Sequence, residues 1–317
     1  MGKKVIGVAA MGTSSGQVLD TIRDLETRGI QAAWLTTAGA GLDALTLFAA
    51  AAVQTERIKL GTSIVPTWPR HPMVAVQQVQ VLAQLADGRF RLGVGPSHKP
   101  AMESAYGFDF RGPLTNLREY LTVVKSLLHH GQVEFDGRHY HAHASILSPW
   151  PDVPIMASAL RASSFELCGE LADGAISWVC PGDYLRDVGL PAMRRGAQKA
   201  GRLTPPLVAH VPMCVHDDSQ EALAAVQEQF GRYAQIPFYA RMFEAAGFPE
   251  ASSGRWSDAM IEAVAIMGSE NQVAKRLDAM FDWGAGEILV SVVPAGPDKE
   301  ASRERTLRFL AELAKGE

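Results

Sequence analysis

Cysteine is scarce in this sequence of 317 residues, and its three copies, Cys168, Cys180 and Cys214, lie far apart in apolar surroundings. An odd number of scattered thiols argues against a disulfide scaffold and favours buried free thiols in a reducing compartment, so we expect a cytoplasmic protein. No apolar run is long enough to cross a membrane, and no long basic run exists. With a net charge of −4, the chain is expected to bind neither membranes nor nucleic acid.

Several familiar catalytic motifs are missing as well. The sequence contains no Ser-His-Asp signature, P-loop or metal motif. Gly93–Gly95 reads G-V-G, but the third glycine of a dinucleotide fingerprint is absent, and Pro96 follows in place of a helix start. We therefore expect these glycines to let the backbone approach a cofactor closely.

Three histidines, His139, His141 and His143, alternate along the chain and would share one face of a strand. A zinc ion could be held by such a set. Because no cluster of carboxylates or cysteines accompanies the histidines, we expect no metal site.

The chain does contain a regular alternation of short apolar strands and amphipathic helices. In one of these units a helix begins at Pro72, and its apolar face is predicted to consist of Val74, Val81, Leu82 and Leu85. About eight strands, each followed by a helix, favour an α/β fold of the (β/α)8 TIM-barrel type over an open doubly wound sheet.

Two segments interrupt this alternation within the single domain that we expect for residues 1–317. Residues 132–151 contain Asp136-Gly137, which predicts a hairpin turn between two short strands. Residues 236–267 read as an extra helical excursion before the last strand–helix unit. We expect both segments to lie near the carboxyl ends of the barrel strands and to cover or shape a pocket there.

Four stretches of the sequence resemble a known family. They are GTSIVPTWPRHP, LAQLADGRFRLGVGPSH, PIMASALRASSFELCGELADGAISW and MGSENQVAKRLDAMFDWGAGEILV. Together they resemble the luciferase-like flavin and deazaflavin oxidoreductases, and the second stretch is most similar to members that use the deazaflavin coenzyme F420. The resemblance spans almost the whole chain and implies a (β/α)8 barrel with an inserted region.

The resemblance also implies where the cofactor binds. The third strand would carry a bulge with a non-proline cis peptide between Ser63 and Ile64, against one face of the cofactor ring. The turn after the fifth strand would bind phosphate through its backbone, with support from Arg161. The chain departs from several members at Thr37-Ala38, where they have an acidic residue or a histidine. The cofactor-binding residues that we expect are Thr37, Ser63, Ile64, Thr67, Gly95, Ser97, Ala159, Leu160, Arg161, Trp178 and Val179.

The resemblance places His98 nearest the reacting carbon, where an imidazole with an ordinary pKa of about 6.5 can donate or accept a proton. The leading interpretation is hydride transfer between coenzyme F420 and a small organic substrate. The alternatives are an FMN-dependent monooxygenase of the same fold and a non-catalytic flavin-binding protein. The predicted helices over residues 43–56 and 71–86 carry little charge, and family members commonly dimerise on this side, so we expect a homodimer.

Overall fold

Eight parallel strands close into a barrel in the computed structural model, which describes residues 4–315. The ends of the predicted domain 1–317 therefore lie outside the described residues. The strands are β1 (Ile6–Ala9), β2 (Ala32–Leu35), β3 (Lys59–Thr62), β4 (Val65–Pro66), β5 (Phe90–Gly95), β6 (Gln132–Asp136), β7 (His141–Ser145), β8 (Ile155–Ser158), β9 (Gly174–Trp178), β10 (Leu207–Val215), β11 (Ile266–Gly268) and β12 (Glu287–Val292). The barrel is the ring β1-β2-β3-β5-β8-β9-β10-β12, which closes where β12 pairs with β1.

Helices surround this ring and connect its strands. They are α1 (Ser15–Arg28), α2 (Ala44–Ala52), α3 (Pro72–Ala86), α4 (Lys99–Tyr106), α5 (Pro113–His130), α6 (Ala162–Leu171), α7 (Gly182–Tyr184), α8 (Leu190–Lys199), α9 (Ser219–Phe230), α10 (Pro237–Ala245), α11 (Asp258–Val264), α12 (Glu270–Asp282) and α13 (Lys299–Lys315). A π-helical turn, Leu185–Gly189, joins α7 to α8, and two 3-10 turns, Gly231–Gln235 and Pro249–Ser253, flank α10. The predicted TIM barrel is confirmed. No helix among the described residues is long and apolar enough to span a bilayer.

Local signals in the sequence explain where many helices begin and end. The Asp43 carboxylate accepts the Thr46 N–H and so caps the start of α2. Gly29 ends α1 in the left-handed conformation at φ 85°, which glycine adopts without a steric penalty. His71 caps α3, and the three cysteines are free and buried, as expected from the sequence.

The predicted apolar face of α3 is wrong. Leu82 is buried, but Val74, Val81 and Leu85 are exposed. The buried side of the helix is formed mostly by small residues, which are Ala75, Val76, Val79, Ala83 and Ala86. Because small side chains let the helix lie close to the sheet, the larger residues are left on the outer surface.

Two elements were missed by the sequence analysis. The polar stretch after β5 is not a loop, because α4 starts directly after His98, with a proline in its first turn. A three-residue strand, β11, ends the segment that was predicted as a helical excursion and pairs with β10 outside the ring. Helix α4 is short and mostly polar, and β11 has three residues, so neither gives a long periodic pattern of apolar residues in the sequence.

The amino end of the barrel interior is closed by a paired set of large polar side chains. Trp34 is fully buried, and its Nε1 donates a hydrogen bond to Glu287 at 2.7 Å. Arg91 lies over the Trp34 ring at 4.3 Å and donates to both carboxylate oxygens of Glu287, at 2.5 and 3.1 Å. Gly7 and Gly61 make room for the indole, because a Cβ at either position would lie 2.6 Å from it. This end of the barrel is filled by protein.

The predicted hairpin within residues 132–151 is confirmed as β6 and β7. The hairpin begins directly after the C-terminal end of α5, and its last strand returns to the same point, where Ile146 N donates to Gly131 O at 2.8 Å. The C-terminal end of a barrel helix lies at the amino end of the strands. Only the hairpin tip therefore reaches the opposite end of the barrel, where the site is expected.

Candidate functional site

A one-residue bulge interrupts the third barrel strand at the carboxyl end of the barrel. Leu60 and Gly61 pair with residues thirty positions later, Phe90 and Arg91, whereas Val65 pairs with Val94, only twenty-nine positions later. The extra residue lies in the segment that links β3 to β4. The peptide bond between Ser63 and Ile64 is cis, as the family resemblance implied.

Threonine side chains form hydrogen bonds to the backbone where the bulge interrupts the pairing of the barrel strands. Thr62 Oγ1 accepts the Gly93 N–H at 2.8 Å and donates to Gly93 O at 2.7 Å. Thr36 Oγ1 donates to Ser63 O at 2.6 Å, and Thr37 N donates to Ile64 O at 3.1 Å. The bulge is thus fixed from both neighbouring strands.

Ile64, Gly95 and Ser158 meet inside the barrel next to the bulge. Ile64 packs against the interior side chains of the neighbouring strands. A Cβ at Gly95 would lie 2.2 Å from Ser158 Oγ and 3.2 Å from an Ile64 side-chain carbon. Glycine at position 95 therefore leaves a shallow floor at the strand ends, which a larger residue would fill.

Two predicted contact residues near this floor have an unusual backbone conformation. Ser97, just after β5, has φ 61°, and Val179, just after β9, has φ 44°. A non-glycine residue with positive φ is uncommon, and for a β-branched residue such as valine it is an outlier. Such residues cluster at ligand-binding sites.

His98 lies between β5 and α4, and its ring contacts two tyrosines. The ring centroids of His98 and Tyr239 are 5.6 Å apart, and those of His98 and Tyr233 are 6.1 Å apart. Burial and, to a lesser extent, the charge of Arg232 lower the pKa of His98 below its ordinary value. The imidazole is therefore neutral at neutral pH, and burial keeps Tyr239 protonated by raising its pKa.

The predicted segment 236–267 does reach the site, since Tyr239 lies in α10. Tyr233 comes from the 3-10 turn just before that segment. No hydrogen bond joins the His98 imidazole to any of residues 4–315, and the residue is partly exposed.

Trp178, His210 and Tyr233 form an aromatic wall beside His98. Of these, His210 and Tyr233 were missed by the sequence analysis. The Trp178 ring centroid lies 4.1 Å from that of His210 and 5.8 Å from that of Tyr233. His210 Nε2 shares a 2.8 Å hydrogen bond with Ser291 Oγ, and burial lowers the pKa of His210 to about 3. The indole Nε1 of Trp178 is buried and has no hydrogen-bond partner within residues 4–315.

One signal in the sequence could have identified His210. It is the one polar side chain in the buried strand LVAHVPMCV, and it alternates with Val208, which faces the barrel interior. An inward-facing histidine among the apolar residues of a barrel strand is a candidate site residue in this fold. Tyr233 and Tyr239 gave no comparable signal, because only the folded excursion brings them to β5.

The turn after β8 is arranged differently from the predicted phosphate site. Ser164 Oγ accepts the backbone N–H groups of both Leu160 and Arg161, at 3.0 and 3.1 Å. The Ala159 N–H donates to Ile176 O at 2.9 Å. Ser164 N and Phe165 N donate to Arg161 O, and a backbone hydrogen bond joins Ala162 to Tyr184, so within residues 4–315 the Ser163 N–H is the first-turn donor of α6 that remains for a phosphate. Arg161 is exposed.

The predicted contact residues differ in accessibility. Ser63, Ile64, Ser97, Trp178 and Leu160 are partly exposed near the floor and wall.

Thr67 and Val179 have no exposed surface, and Gly95 and Ala159 are buried. Thr67 donates its N–H to Gly95 O and its hydroxyl to Asn116 Oδ1, so its polar groups are engaged inside the protein. Thr37 is similar, since its hydroxyl accepts the Ala44 N–H at 3.0 Å. These two threonines hold the backbone around the bulge in place.

The three histidines of the hairpin do not share one face. His139 lies in the turn, and its ring packs edge-on against Trp68 at 5.3 Å. His141 and His143 lie on an exposed face, where Asp136 and Glu134 accept their hydrogen bonds, so the expected lack of nearby carboxylates was wrong. Among residues 4–315, no group of three or more histidine, cysteine or acidic side chains could hold a metal ion.

A cavity of about 300 Å³ lies away from His98, outside the ring of strands. Val211, which lines the cavity, points to the outer side of β10, because Val208 on the same strand points inward. Helix α12 forms another wall through Met280 and Trp283. The cavity shares neither the bulge nor the aromatic wall, so we place the functional site at the strand ends.

Comparisons with known proteins agree with this placement. The family described as luciferase-like monooxygenase matches residues 6–287. The 5,10-methylenetetrahydromethanopterin reductase of Methanopyrus kandleri is 25% identical over 326 residues, covering 91% of this chain and 92% of that protein.

Two solved structures share the fold. An F420-dependent secondary alcohol dehydrogenase, in complex with an F420-acetone adduct, has a TM-score of 0.80 at 17% identity over 98% of both chains. The oxygenating constituent of 3,6-diketocamphane monooxygenase from Pseudomonas putida, in complex with FMN, has a TM-score of 0.72 at 20% identity. That match covers 98% of this chain and 97% of the other.

A closed parallel barrel with its open site at the carboxyl ends of the strands is the architecture of TIM-barrel enzymes. Within that class, the match over residues 6–287 shows that the chain belongs to the luciferase-like monooxygenase family. Its curated relatives include two reductases and a dehydrogenase, and the protein is an oxidoreductase.

Proposed function

We propose that the protein transfers a hydride between coenzyme F420 and a small organic substrate at the carboxyl end of the barrel. The observation that carries the proposal is the neutral His98, which is partly buried between Tyr233 and Tyr239 next to the bulged strand. The F420-dependent alcohol dehydrogenase with the same fold supports this choice of cofactor.

The residues at the strand ends fit a flat ring system. Ile64 and the backbone of the bulge would support one face of the ring, and Gly95 leaves the space that a side chain would fill. The partly exposed ring of Trp178 would flank the ring system beside His98. The Ser163 N–H in the first turn of α6 would donate to the phosphate.

Deazaflavin supplies a ring carbon that accepts or gives a hydride, and the protein supplies the proton transfer. When an alcohol is oxidised, the neutral His98 accepts its hydroxyl proton as the hydride leaves carbon. In the reverse direction, the protonated imidazole returns the proton to the carbonyl oxygen. The protonated Tyr239 is a further hydrogen-bond donor beside the imidazole.

An FMN-dependent monooxygenase is the second candidate function. The FMN complex of 3,6-diketocamphane monooxygenase has the same barrel, and a bulged strand can support either ring system. Separate titrations of the purified protein with F420 and FMN distinguish the two functions. We expect tight binding of F420 alone, and tight binding of FMN alone would replace the first candidate by the second.

We also propose that the protein is a homodimer through the outer faces of α2 and α3. Val53 at the end of α2 and Val74, Val81 and Leu85 on α3 are all exposed. These side chains form an apolar surface of the kind that protein interfaces bury.

A further inference from the structure

The tip of the β6-β7 hairpin is fixed to α5 by one buried carboxylate. Glu119 Oε1 accepts the Arg138 N–H at 2.9 Å, and Oε2 accepts the N–H groups of His139 and Tyr140 at 2.7 and 3.2 Å. Gly137 allows this close approach, because a Cβ there would lie 2.5 Å from Glu119 Oε2. The hairpin tip therefore has a defined position relative to α5.

From this position Tyr140 reaches the segment that follows the bulged strand. Its hydroxyl donates to Thr67 O at 2.9 Å and accepts from Asn116 Nδ2 at 2.9 Å. Asn116 Oδ1 in turn accepts the Thr67 hydroxyl at 2.6 Å. All three residues are buried. A closed ring of three hydrogen bonds thus joins the hairpin, α5 and Thr67.

Thr67 transmits this connection to the floor of the site. It directly follows β4, and its N–H donates to the carbonyl of Gly95 at 2.9 Å. The next residue, Trp68, packs against His139 of the hairpin tip at 5.3 Å. The bulge at Ser63-Ile64 therefore lies between β2 and β5, and the hairpin adds a contact to the same segment at Thr67, directly after β4.

We propose that the β6-β7 hairpin is a brace for the cofactor floor, with Tyr140 and Asn116 as positioning residues that set the bulge through Thr67. The inference rests on the proposed function, because it takes the bulge as the support of the cofactor ring. It also explains why a hairpin that starts at the amino end of the barrel extends along α5 to the opposite end.

The chain offers a matched pair of variants for the test. Tyr140→Phe removes a hydroxyl with two hydrogen bonds. Tyr120→Phe removes a hydroxyl with no partner within residues 4–315, from a buried ring 5.6 Å from that of Tyr140. In Tyr140→Phe we expect about tenfold faster amide exchange over residues 63–68 of the cofactor-free protein and about tenfold weaker F420 binding. Tyr120→Phe should match the wild type in both.

Each outcome decides the proposal. Exchange over residues 63–68 that stays at the wild-type rate in Tyr140→Phe overturns it, and so does a uniform increase over the whole barrel, which would indicate only a loss of global stability. If Tyr140→Phe does not fold, Thr67→Val removes only the bond to Asn116 and should still accelerate exchange over the same segment. If the wild type does not bind F420, the proposed function fails, while the exchange rates still decide on the brace.

Discussion

Each end of the barrel interior contains a tryptophan that packs against an arginine or a histidine, but only one of the two indole N–H groups has a hydrogen-bond partner within residues 4–315. At the amino end, Trp34 lies under Arg91 at 4.3 Å, and its Nε1 donates to Glu287. At the carboxyl end, Trp178 lies 4.1 Å from His210, and its Nε1 has no partner within residues 4–315.

An unpaired buried polar atom costs about 1–3 kcal/mol, so it persists where something else compensates. At the amino end the Trp34 indole, the Glu287 carboxylate and the terminal nitrogens of Arg91 are paired, although Arg91 Nε is buried without a partner within residues 4–315. At the carboxyl end the indole N–H of Trp178 is also buried without a partner, but the His98 imidazole is partly exposed and lies beside two residues with positive φ. The partly exposed His98 and the two residues with positive φ distinguish the carboxyl end and favour it as the end that receives a ligand.

The largest effect is expected at His98. Replacing His98 by Gln keeps a hydrogen-bonding group of similar size but removes proton transfer. Turnover should fall by roughly 10²-fold or more, the usual scale for losing a general acid or base, whereas F420 affinity should change little. Steady-state kinetics and a fluorescence titration of the same preparation measure the two quantities.

The pH profile tests the same residue with a defined sign. Because the pKa of His98 is lowered, alcohol oxidation should be constant near neutral pH and should decline only below the ordinary imidazole range, where the base becomes protonated. The His98→Gln variant should lack this acidic decline. A variant with wild-type turnover and an unchanged profile would leave His98 a binding residue only.

The sequence predicts the barrel that carries this site better than the side chains that line the site. Strand–helix alternation and local caps such as Asp43 and Gly29 are short-range features, so they could be read from consecutive residues. The cis peptide at Ser63-Ile64 came from the family resemblance and not from any local preference.

The residues that were missed share a physical reason. Tyr239 and His210 become neighbours of His98 and Trp178 only after the barrel closes and α10 folds over it. The buried hydrogen bond of Thr67 to Asn116 of α5 was not predicted either, because it joins residues distant in sequence. Exposure on α3 was misjudged because a helical period does not say which of two apolar faces packs inward.

A smaller effect should separate the two tryptophans directly. Trp34→Phe and Trp178→Phe remove the same atoms, but only the first breaks a hydrogen bond, the one to Glu287. In the cofactor-free protein, Trp34→Phe should therefore lower the free energy of unfolding by about 1–3 kcal/mol more than Trp178→Phe. Denaturant unfolding measures the difference.

Cofactor affinity should show the opposite order. Trp178→Phe should weaken F420 binding, since it makes the partly exposed wall beside His98 smaller, and Trp34→Phe should leave it close to wild type. Equal losses of stability, or a weaker complex only in Trp34→Phe, would contradict the assignment of the two ends.

The smallest effect on folding is expected for a substitution on the outer surface of α3, because it contacts neither end of the barrel interior. Val81 is 51% exposed on α3, so Val81→Arg should change the free energy of unfolding by no more than about 0.5 kcal/mol. A buried arginine pair at a two-fold interface would nevertheless repel, so the variant should be monomeric where the wild type is dimeric. Leu203→Arg, at a residue that is 91% exposed and outside α2 and α3, should remain dimeric. Light scattering at micromolar concentration gives the masses, and a monomeric wild type would remove the proposed dimer while leaving the contrast between the two barrel ends intact.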